Sequence, residues 1–321
     1  MSRVLVTGGG GFVGQWLARA LIERGDDIVL TGLGPRPTEP VILTETEWRG
    51  VRWQPMDIRL ADDVAAAVDV SRPDMVVHLA GISFPPDGER DASATFDVNT
   101  VGAARLLDAL GTGRARGVID PVIVVVGSGL QYGTHDPAEM PLTESAEQRP
   151  ITRYAASKAA QEIAAFQAFR GVGLRVVCTR SFNHSGPGHA AQFLLPSLVD
   201  RVVRMGRGDG AATLRVGNDV VRDYLHVADV VRAYLLLAER GIPGEAYNVC
   251  SGVGVSARRL AADILLRAGT AAEISTDPAL VREADIPVLV GSPERLMRTT
   301  GWTMTRTTAD IIDDLLHAAT H

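Results

Sequence analysis

Cysteine is scarce in this sequence, since only Cys178 and Cys250 occur in 321 residues and each lies inside an apolar run. A disulfide framework or a paired-cysteine metal site needs several cysteines at regular spacing, so neither is expected. We therefore expect the protein to occupy a reducing compartment.

Basic residues are not in excess, because 32 Lys and Arg stand against 38 Asp and Glu and give a formal net charge of −6. Without a Lys/Arg run, neither nucleic acid nor a membrane surface is an expected partner. The opening "MSRVLVTGGGGFVG" has a short apolar run broken by glycines, which fits neither a signal peptide nor a membrane span. We expect a cytoplasmic protein with small-molecule partners.

Short runs rich in Val, Ile and Leu recur through the first 180 residues, and most are separated by segments with apolar residues at helical spacing. The runs are "RVLVT", "DIVLTG", "VRWQPMD", "DMVVHLAG", "PVIVVVGS" and "LRVVCTRS". This alternation predicts an α/β fold with a doubly wound parallel Rossmann sheet, whose strands are apolar throughout because helices cover both faces.

Past residue 180 the segments become longer, irregular and rich in Gly and Pro. They predict a smaller, mostly helical C-terminal substrate domain, with helices near 193–205, 227–240, 256–268 and 307–319. We expect a dinucleotide-binding domain over 1–180, with a return segment near 217–250, and a substrate domain over 181–321. The second domain should cover the carboxyl edge of the sheet, where open α/β folds bind ligands.

The stretch "VLVTGGGGFVGQWLARAL" places Gly8, Gly11 and Gly14 between a predicted strand and a predicted helix. Glycines in this position let the backbone turn tightly and approach a pyrophosphate, while the helix N-terminus supplies free N–H groups. The alternative is a flexible glycine loop. The flanking strand and helix favour a dinucleotide site.

The end of the second strand, in "DIVLTGLGPRP", has no acidic residue to bind the adenosine ribose hydroxyls. Gly32 leaves space there for a 2′-phosphate, and Arg36 follows as a cation. NADP(H) is therefore the favoured cofactor and NAD(H) a possible one. Arg36 could equally be a solvated loop residue.

In "YAASK", Tyr154 and Lys158 share one face of a helix, and a nearby cation favours the phenolate of a tyrosine. Alone, this motif could be a surface helix with an ion pair. However, Ser128 ends the strand "PVIVVVGS" at the same sheet edge as the glycine loop, which favours a catalytic group. Ser128 would hydrogen-bond a carbonyl oxygen, Tyr154 would exchange a proton, and Lys158 would tune Tyr154 and hold the nicotinamide ribose.

These motifs occur in the order found in a known family, and the chain resembles extended short-chain dehydrogenase/reductases of the nucleotide-sugar branch. The matching pieces are "TGGGGFVG", "MDI" at 56–58, "HLAG" at 78–81, "VNTVG", "GSGLQYG", "YAASK", "SFNHSGPG" and "RDYLHVADV". They cover nearly the whole chain. The resemblance implies an NAD(P)-dependent oxidoreductase acting on a sugar nucleotide.

The resemblance also implies roles for individual residues. Beyond those named above, the implied cofactor-binding residues are Phe12, Val13, Asp57, Ile58, Leu79, Ala80, Gly81, Asn99, Ser181 and Phe182. The implied substrate-binding residues are Phe84, Ser128, Asn183, Arg222 and Arg282, of which Arg222 would clamp the diphosphate. His184 and His189 lack the spacing and companions of a metal site, so we expect shape or hydrogen bonding from both and no metal.

Within the branch, the resemblance implies a reductase that uses NAD(P)H on the C4 ketone of a nucleotide-linked 4-keto-6-deoxy sugar. The members most similar convert GDP-4-dehydro-6-deoxy-D-mannose to GDP-D-rhamnose. Gly129 and Leu130 follow Ser128 where dehydratases have an Asp-Glu pair, so dehydration is not expected. The alternatives are an NAD-dependent nucleotide-sugar 4-epimerase and, in third place, a non-enzymatic NADP-binding sensor. The helices at 92–110 and 152–170 match a family dimer interface, which implies a homodimer.

Overall fold

The computed structural model describes residues 1–209, 213–281 and 285–320. Their strands, in chain order, are β1 (Arg3–Thr7), β2 (Asp27–Gly32), β3 (Arg52–Pro55), β4 (Met75–His78), β5 (Val122–Ser128), β6 (Arg175–Ser181), β7 (Asn183–Ser185), β8 (Thr213–Val216), β9 (Val221–His226), β10 (Ala246–Val249), β11 (Gly254–Ser256), β12 (Glu273–Thr276) and β13 (Val288–Leu289).

The helices, in chain order, are α1 (Phe12–Arg24), α2 (Glu45–Gly50), α3 (Ala61–Ser71), α4 (Pro85–Arg90), α5 (Ala92–Phe96), α6 (Gly102–Ala115), α7 (Arg153–Val172), α8 (Leu194–Gly206), α9 (Val227–Arg240), α10 (Ala257–Arg267), α11 (Glu294–Thr300) and α12 (Thr308–Thr320). A π-helical segment, Asp97–Val101, joins α5 to α6. None of the helices in the described ranges is long and apolar enough to cross a membrane.

A seven-stranded sheet in the order β10-β6-β5-β4-β1-β2-β3 forms the centre of the molecule, and its strand pairs are all parallel. Successive residues of β1 face opposite sides, so Val4 and Val6 join one buried core while Leu5 joins the other. Helices α1 and α9 cover the first face, and α3, α6 and α7 cover the second. The predicted doubly wound Rossmann sheet is confirmed.

The later half of the chain builds a smaller and mostly helical region. Helices α8, α10 and α12 pack their apolar faces together around Leu198, Leu260 and Ile311. Two small sheets, one formed by β11, β9 and β13 with β7 and the other by β8 and β12, complete this region. Strand β10 instead pairs with β6 in the main sheet, and α9 packs against α1. The domain boundary at residue 180 stays a prediction.

Candidate active site

The glycine loop after β1 is shaped by two close backbone approaches. Gly8 has a left-handed φ of 71°, and a Cβ there would lie 2.9 Å from the backbone nitrogen of Ala80. A Cβ on Gly14 would lie 2.6 Å from the carbonyl oxygen of Gly8. Gly11 is the N-cap of α1 and makes no side-chain hydrogen bond to its first turn. The backbone N–H groups of that turn can therefore bind a phosphate. Phe12 and Val13 form the start of that turn.

The loop after β4 borders the glycine loop and is fixed by Asn99. The Asn99 side chain accepts a hydrogen bond from the Ile82 N–H at 2.8 Å and donates to the Ser157 hydroxyl on α7 at 2.9 Å. Ala80 N–H donates to the Thr7 hydroxyl at 3.2 Å. Asn99 and Thr7 therefore hold the segment of Leu79, Ala80 and Gly81 between β1 and α7. The role of this segment and of Asn99 in a cofactor channel stays a prediction.

Ser128 and Tyr154 lie together at the carboxyl end of β5, and both side chains are buried. Burial raises the pKa of Tyr154 above its ordinary value, and a hydrogen bond with Ser128 acts in the opposite direction. The Ser128 Oγ accepts the Leu130 N–H at 3.2 Å, which leaves the hydroxyl hydrogen available to an oxygen in the site. Tyr154 is consequently a protonated phenol at neutral pH.

Lys158 lies one turn further along α7, but its ammonium group donates to Gln161 Oε1 at 2.6 Å. Burial lowers the pKa of Lys158 to about 7, while the nearby thiol of Cys178 opposes that change. The causes of the pKa shift of Tyr154 are its burial and Ser128, so the expected influence of Lys158 on Tyr154 stays a prediction. The Gln161 side chain therefore accepts the hydrogen bond that the Lys158 ammonium group donates.

Ser181 ends β6 next to this group as the parallel partner of Ser128, and Phe182 follows it. The Ser181 Oγ lies 2.8 Å from the Tyr234 hydroxyl. The Phe182 ring is buried, and a Cβ on either Gly129 or Gly291 would lie 3.0 Å or less from it. The Phe182 ring packs within a buried hydrophobic cluster. Its contact with a nicotinamide therefore stays a prediction.

At the adenosine end, Arg36 contacts α2, and its role in binding a 2′-phosphate stays a prediction. Its guanidinium donates to the carbonyl oxygens of Trp48, at 2.8 Å, and of Val51, at the C-terminal end of α2. Carbonyl groups at a helix C-terminus carry partial negative charge and attract a cation, which explains this placement. Arg36 is thus held by the carbonyl groups at the end of α2.

Trp53, on β3, lies against the end of β2 and the glycine loop. A Cβ would lie 2.6 Å from the indole ring if added to Gly32, and 3.2 Å from it if added to Gly10. The space expected beside Gly32 is therefore bordered by an aromatic ring. Trp53 could not be identified from the sequence, because only the strand pairing of β2 with β3 brings it there.

Asp57 and Ile58, the residues expected to border the adenine, have different surroundings. Asp57 pairs with Arg59 at 2.6 Å, and this hydrogen bond lowers the pKa of Asp57. Ile58 is buried in the core, where it lies against Gly102 at the start of α6. Their contact with an adenine stays a prediction.

The expected substrate residues lie between the sheet edge and the second region. Asn183 is the parallel partner of Tyr224 in the pairing of β7 with β9, and the Phe84 ring packs edge-on against Phe193 with the ring centroids 5.2 Å apart. Arg222 forms an ion pair with Asp285 at 2.7 Å and donates to the Ile286 carbonyl at 2.6 Å. A diphosphate clamp by Arg222 would have to replace Asp285, so that role stays a prediction. Arg282 lies outside the described residues.

His184 and His189 both contribute to packing and hydrogen bonding. His189 stacks between Phe12 and Phe193, with ring centroids 4.6 and 4.2 Å away, and its Nδ1 lies 3.0 Å from the Ser185 hydroxyl. Burial and the neighbouring His184 lower the pKa of His189 to about 3. In the part of the chain that the structure describes, no group of three or more His, Cys, Asp or Glu side chains could hold a metal ion.

Comparison with known proteins places these features in a family context. Residues 4–250 match the sequence model described as the NAD dependent epimerase/dehydratase family. The GDP-6-deoxy-D-mannose reductase of Pseudomonas aeruginosa is 36% identical over 301 residues, which cover 94% of this chain and 91% of that protein.

Solved structures have the same fold over nearly the full chain. The structure of RMD from Pseudomonas aeruginosa complexed with NADPH has a TM-score of 0.84 at 33% identity and covers 99% of both chains. The UDP-glucose 4-epimerase of Thermus thermophilus in complex with NAD has a TM-score of 0.84 at 28% identity, again over 99% of both chains. The glycine loop and the Ser128 and Tyr154 pair thus lie within a fold seen in a reductase and in an epimerase.

Proposed function

The chain belongs to the NAD dependent epimerase/dehydratase family, and from this premise we propose that it reduces the C4 ketone of a nucleotide-linked 4-keto-6-deoxy sugar. The favoured reaction converts GDP-4-dehydro-6-deoxy-D-mannose to GDP-D-rhamnose. The chain is an NAD(P)-dependent oxidoreductase, as its family and its reductase relative indicate. The choice of this particular ketosugar rests on that relative.

The observation that carries the proposal is that the buried side chains of Ser128 and Tyr154, with Tyr154 held as a neutral phenol, lie beside one another at the sheet edge that also bears the glycine loop. A ketone reduction needs a proton donor at the carbonyl oxygen, and a phenol held neutral by burial is such a donor. Dehydration needs an acid and a base beside the sugar, whereas Gly129 and Leu130 follow Ser128 here. The site therefore fits reduction better than water elimination.

The described residues fit a nicotinamide dinucleotide. Side chains at Gly8 and Gly14 would collide with the backbone of Ala80 and of Gly8, so these glycines permit the tight turn of the loop, and the first turn of α1 has no side-chain cap to compete with a pyrophosphate. Lys158 would exchange Gln161 for the hydroxyls of the nicotinamide ribose. When bound, NAD(P)H supplies the hydride that reaches C4 of the sugar.

Tyr154 and Ser128 handle the oxygen of the reacting carbonyl. As negative charge develops on that oxygen, Tyr154 transfers its phenolic proton to it, and Ser128 donates a second hydrogen bond. Because both side chains are buried, these donors act where water competes little with them. A positively charged Lys158 would stabilise the phenolate left on Tyr154 until a solvent proton returns.

NADP(H) is the proposed cofactor, with NAD(H) as the alternative. The end of β2 carries Thr31 and Gly32 and no carboxylate, so the adenosine ribose site has no acid that would repel a 2′-phosphate. The similar structure from Pseudomonas aeruginosa was solved with NADPH. Arg36 does not support this choice in its present position.

The test is consumption of NADPH by the purified protein, with GDP-4-dehydro-6-deoxy-D-mannose generated in situ. NADH and the UDP- and dTDP-linked ketosugars are measured in parallel. We expect rapid oxidation with the GDP-linked sugar and slower oxidation with the others. If no ketosugar is reduced and the protein is purified with NAD bound, the 4-epimerase function replaces the reductase function as the proposal.

A homodimer is proposed through the face formed by the π-helical segment and α7. The apolar side chains of Val101 and Ile163 are exposed on these elements, at 43% and 69% of their surface, and a partner would cover them. Light scattering should give twice the chain mass, and a monomer would contradict this assembly. The cytoplasmic location stays a prediction.

A further inference from the structure

Ser128 is held from behind by buried side chains that the proposed reaction does not use. Its backbone N–H donates to Gln131 Oε1 at 2.7 Å. The Gln131 amide nitrogen donates in turn to Glu162 Oε2 and to Gln148 Oε1, both at 3.1 Å. Since the amide nitrogen of Gln131 donates to two acceptors, its oxygen faces Ser128 and accepts the Ser128 N–H.

Glu162 is fixed just as firmly. Arg180 binds its carboxylate with two parallel hydrogen bonds, of 2.7 and 3.0 Å, and Gln148 donates to it at 2.6 Å. The side chains of Glu162 and Arg180 are only 4% and 7% exposed. A bidentate, desolvated pair of this kind defines both the place and the orientation of the carboxylate.

Glu162 also belongs to the helix that carries the proposed catalytic groups. It lies one turn after Lys158 on α7, while Gln131 lies in the 3-10 turn that follows β5. The bond between Gln131 and Glu162 therefore joins the strand end bearing Ser128 to the helix bearing Tyr154. The two parts of the reaction centre are linked through buried side chains in the protein interior.

We propose that Gln131 and Glu162 are positioning residues, which set the hydroxyl of Ser128 relative to Tyr154 through the Ser128 N–H. This inference rests on the proposed function, because it takes Ser128 to act on the C4 oxygen. Glu162 fixes the orientation of the Gln131 amide, and Gln131 fixes Ser128. In a Glu162→Gln variant, the nitrogen of the new amide can face the amide nitrogen of Gln131. Two donors would then oppose each other, so the Gln131 amide can turn over and present its oxygen to residue 162.

The test is a double-mutant cycle between Gln131→Leu and Ser128→Ala. A positioning role predicts that Gln131→Leu lowers kcat roughly 10- to 100-fold while KM changes less than about threefold. In the Ser128→Ala background, the same substitution should lower kcat less than about twofold, because its effect passes through Ser128. Equal losses in both backgrounds would overturn the proposal.

Tyr132→Phe is the matched control. It removes the hydroxyl that accepts from Arg180 at 3.0 Å on the far side of the network and leaves the link to Ser128 intact. We expect its kcat to stay within about twofold of wild type even where its thermal stability falls as far as that of Gln131→Leu. A comparable loss of kcat in Tyr132→Phe would mean that general destabilisation, and not positioning, causes the effect.

A measurement without substrate separates this inference from the proposed function. Hydrogen exchange of the Ser128 amide should become at least about tenfold faster in Gln131→Leu and in Glu162→Gln, and should not change in Tyr132→Phe. Unchanged protection of that amide would overturn the positioning role even in an active enzyme. Failure of the wild-type protein to reduce any ketosugar would instead count against the proposed function alone.

Discussion

The two ends of the candidate cofactor site are built by different means. At the nicotinamide end, Ser128 and Tyr154 lie on β5 and α7, and buried hydrogen bonds hold the elements that carry them. At the adenosine end, Gly32 is bordered by the Trp53 ring, and Arg36 is bound to carbonyl groups of α2. Regular elements therefore carry the proposed catalytic groups, whereas side chains from neighbouring segments border the proposed site of the adenosine ribose.

The largest effect should come from removing the proton donor at the nicotinamide end. Tyr154→Phe keeps the buried ring and deletes the hydroxyl, so we expect turnover to fall by about 10³-fold or more. Cofactor affinity should remain within about threefold, since the pyrophosphate is bound by the glycine loop. Stopped-flow reduction of the ketosugar and fluorescence titration with NADPH measure these two quantities.

Two results with Tyr154→Phe would contradict this division between the nicotinamide end and the adenosine end. Full activity in Tyr154→Phe would remove the phenol from the mechanism. A large loss of NADPH affinity would show that the phenol also binds cofactor, in which case chemistry and binding are not divided between the two ends. Tyr247→Phe is a suitable control, because this buried tyrosine lies on β10 at the end of the sheet and its hydroxyl accepts the Ile242 N–H at 3.0 Å.

This contrast explains which features the sequence predicted. The strands follow from short apolar runs, and the face shared by Tyr154 and Lys158 follows from the 3.6-residue repeat of a helix. The glycine loop follows from its place between a predicted strand and a predicted helix. The topology of the sheet confirms the predicted fold class, and the match to the family model confirms the predicted family. Gln161 could also have been found, since it lies three residues after Lys158 on the same helix.

The other features depend on pairing between distant segments. Trp53 reaches Gly32 only because β3 pairs with β2, and Arg180 reaches Glu162 only because β6 packs beneath α7. Arg36 was expected at the phosphate because it follows Gly32 in sequence, yet the carbonyl groups ending α2 bind it. A short spacing in sequence does not decide between such competing partners.

A moderate effect should come from Trp53 at the adenosine end. Trp53→Ala opens the space beside Gly32, which a 2′-phosphate fills better than a hydroxyl group. We therefore expect the ratio of kcat/KM for NADPH to that for NADH to rise roughly tenfold over wild type, equivalent to about 1.4 kcal/mol. Steady-state kinetics with both cofactors measure this ratio.

Trp48→Phe provides a control, because Trp48 packs against Trp53 with ring centroids 5.9 Å apart but borders neither Gly10 nor Gly32 in the contacts described for these glycines. A fall in the ratio for Trp53→Ala would mean that the indole supports NADPH instead of limiting it. Introducing an acid at Gly32 is a poorer test, because its Cβ would lie 2.6 Å from the Trp53 ring.

The smallest expected effect concerns His189, which packs against Phe12 of the glycine loop and joins that loop to the second region. Its pKa of about 3 in the folded protein is far below the ordinary value of 6.5. As pH falls below 6.5, the unfolded chain binds a proton that the folded chain does not, so stability is lost down to about pH 3. The loss approaches about 1.4 kcal/mol per pH unit in that window.

His189→Phe keeps an aromatic ring in the stack and removes this titration. Its free energy of unfolding, from urea titrations between about pH 6 and 4, should therefore fall less steeply than that of wild type, by about 1 kcal/mol per pH unit. All other titrating groups are shared by the two proteins, so the difference in slope isolates His189. Parallel slopes would mean that the ring takes up its proton in the folded protein, and that the stack between the glycine loop and the second region does not keep His189 neutral.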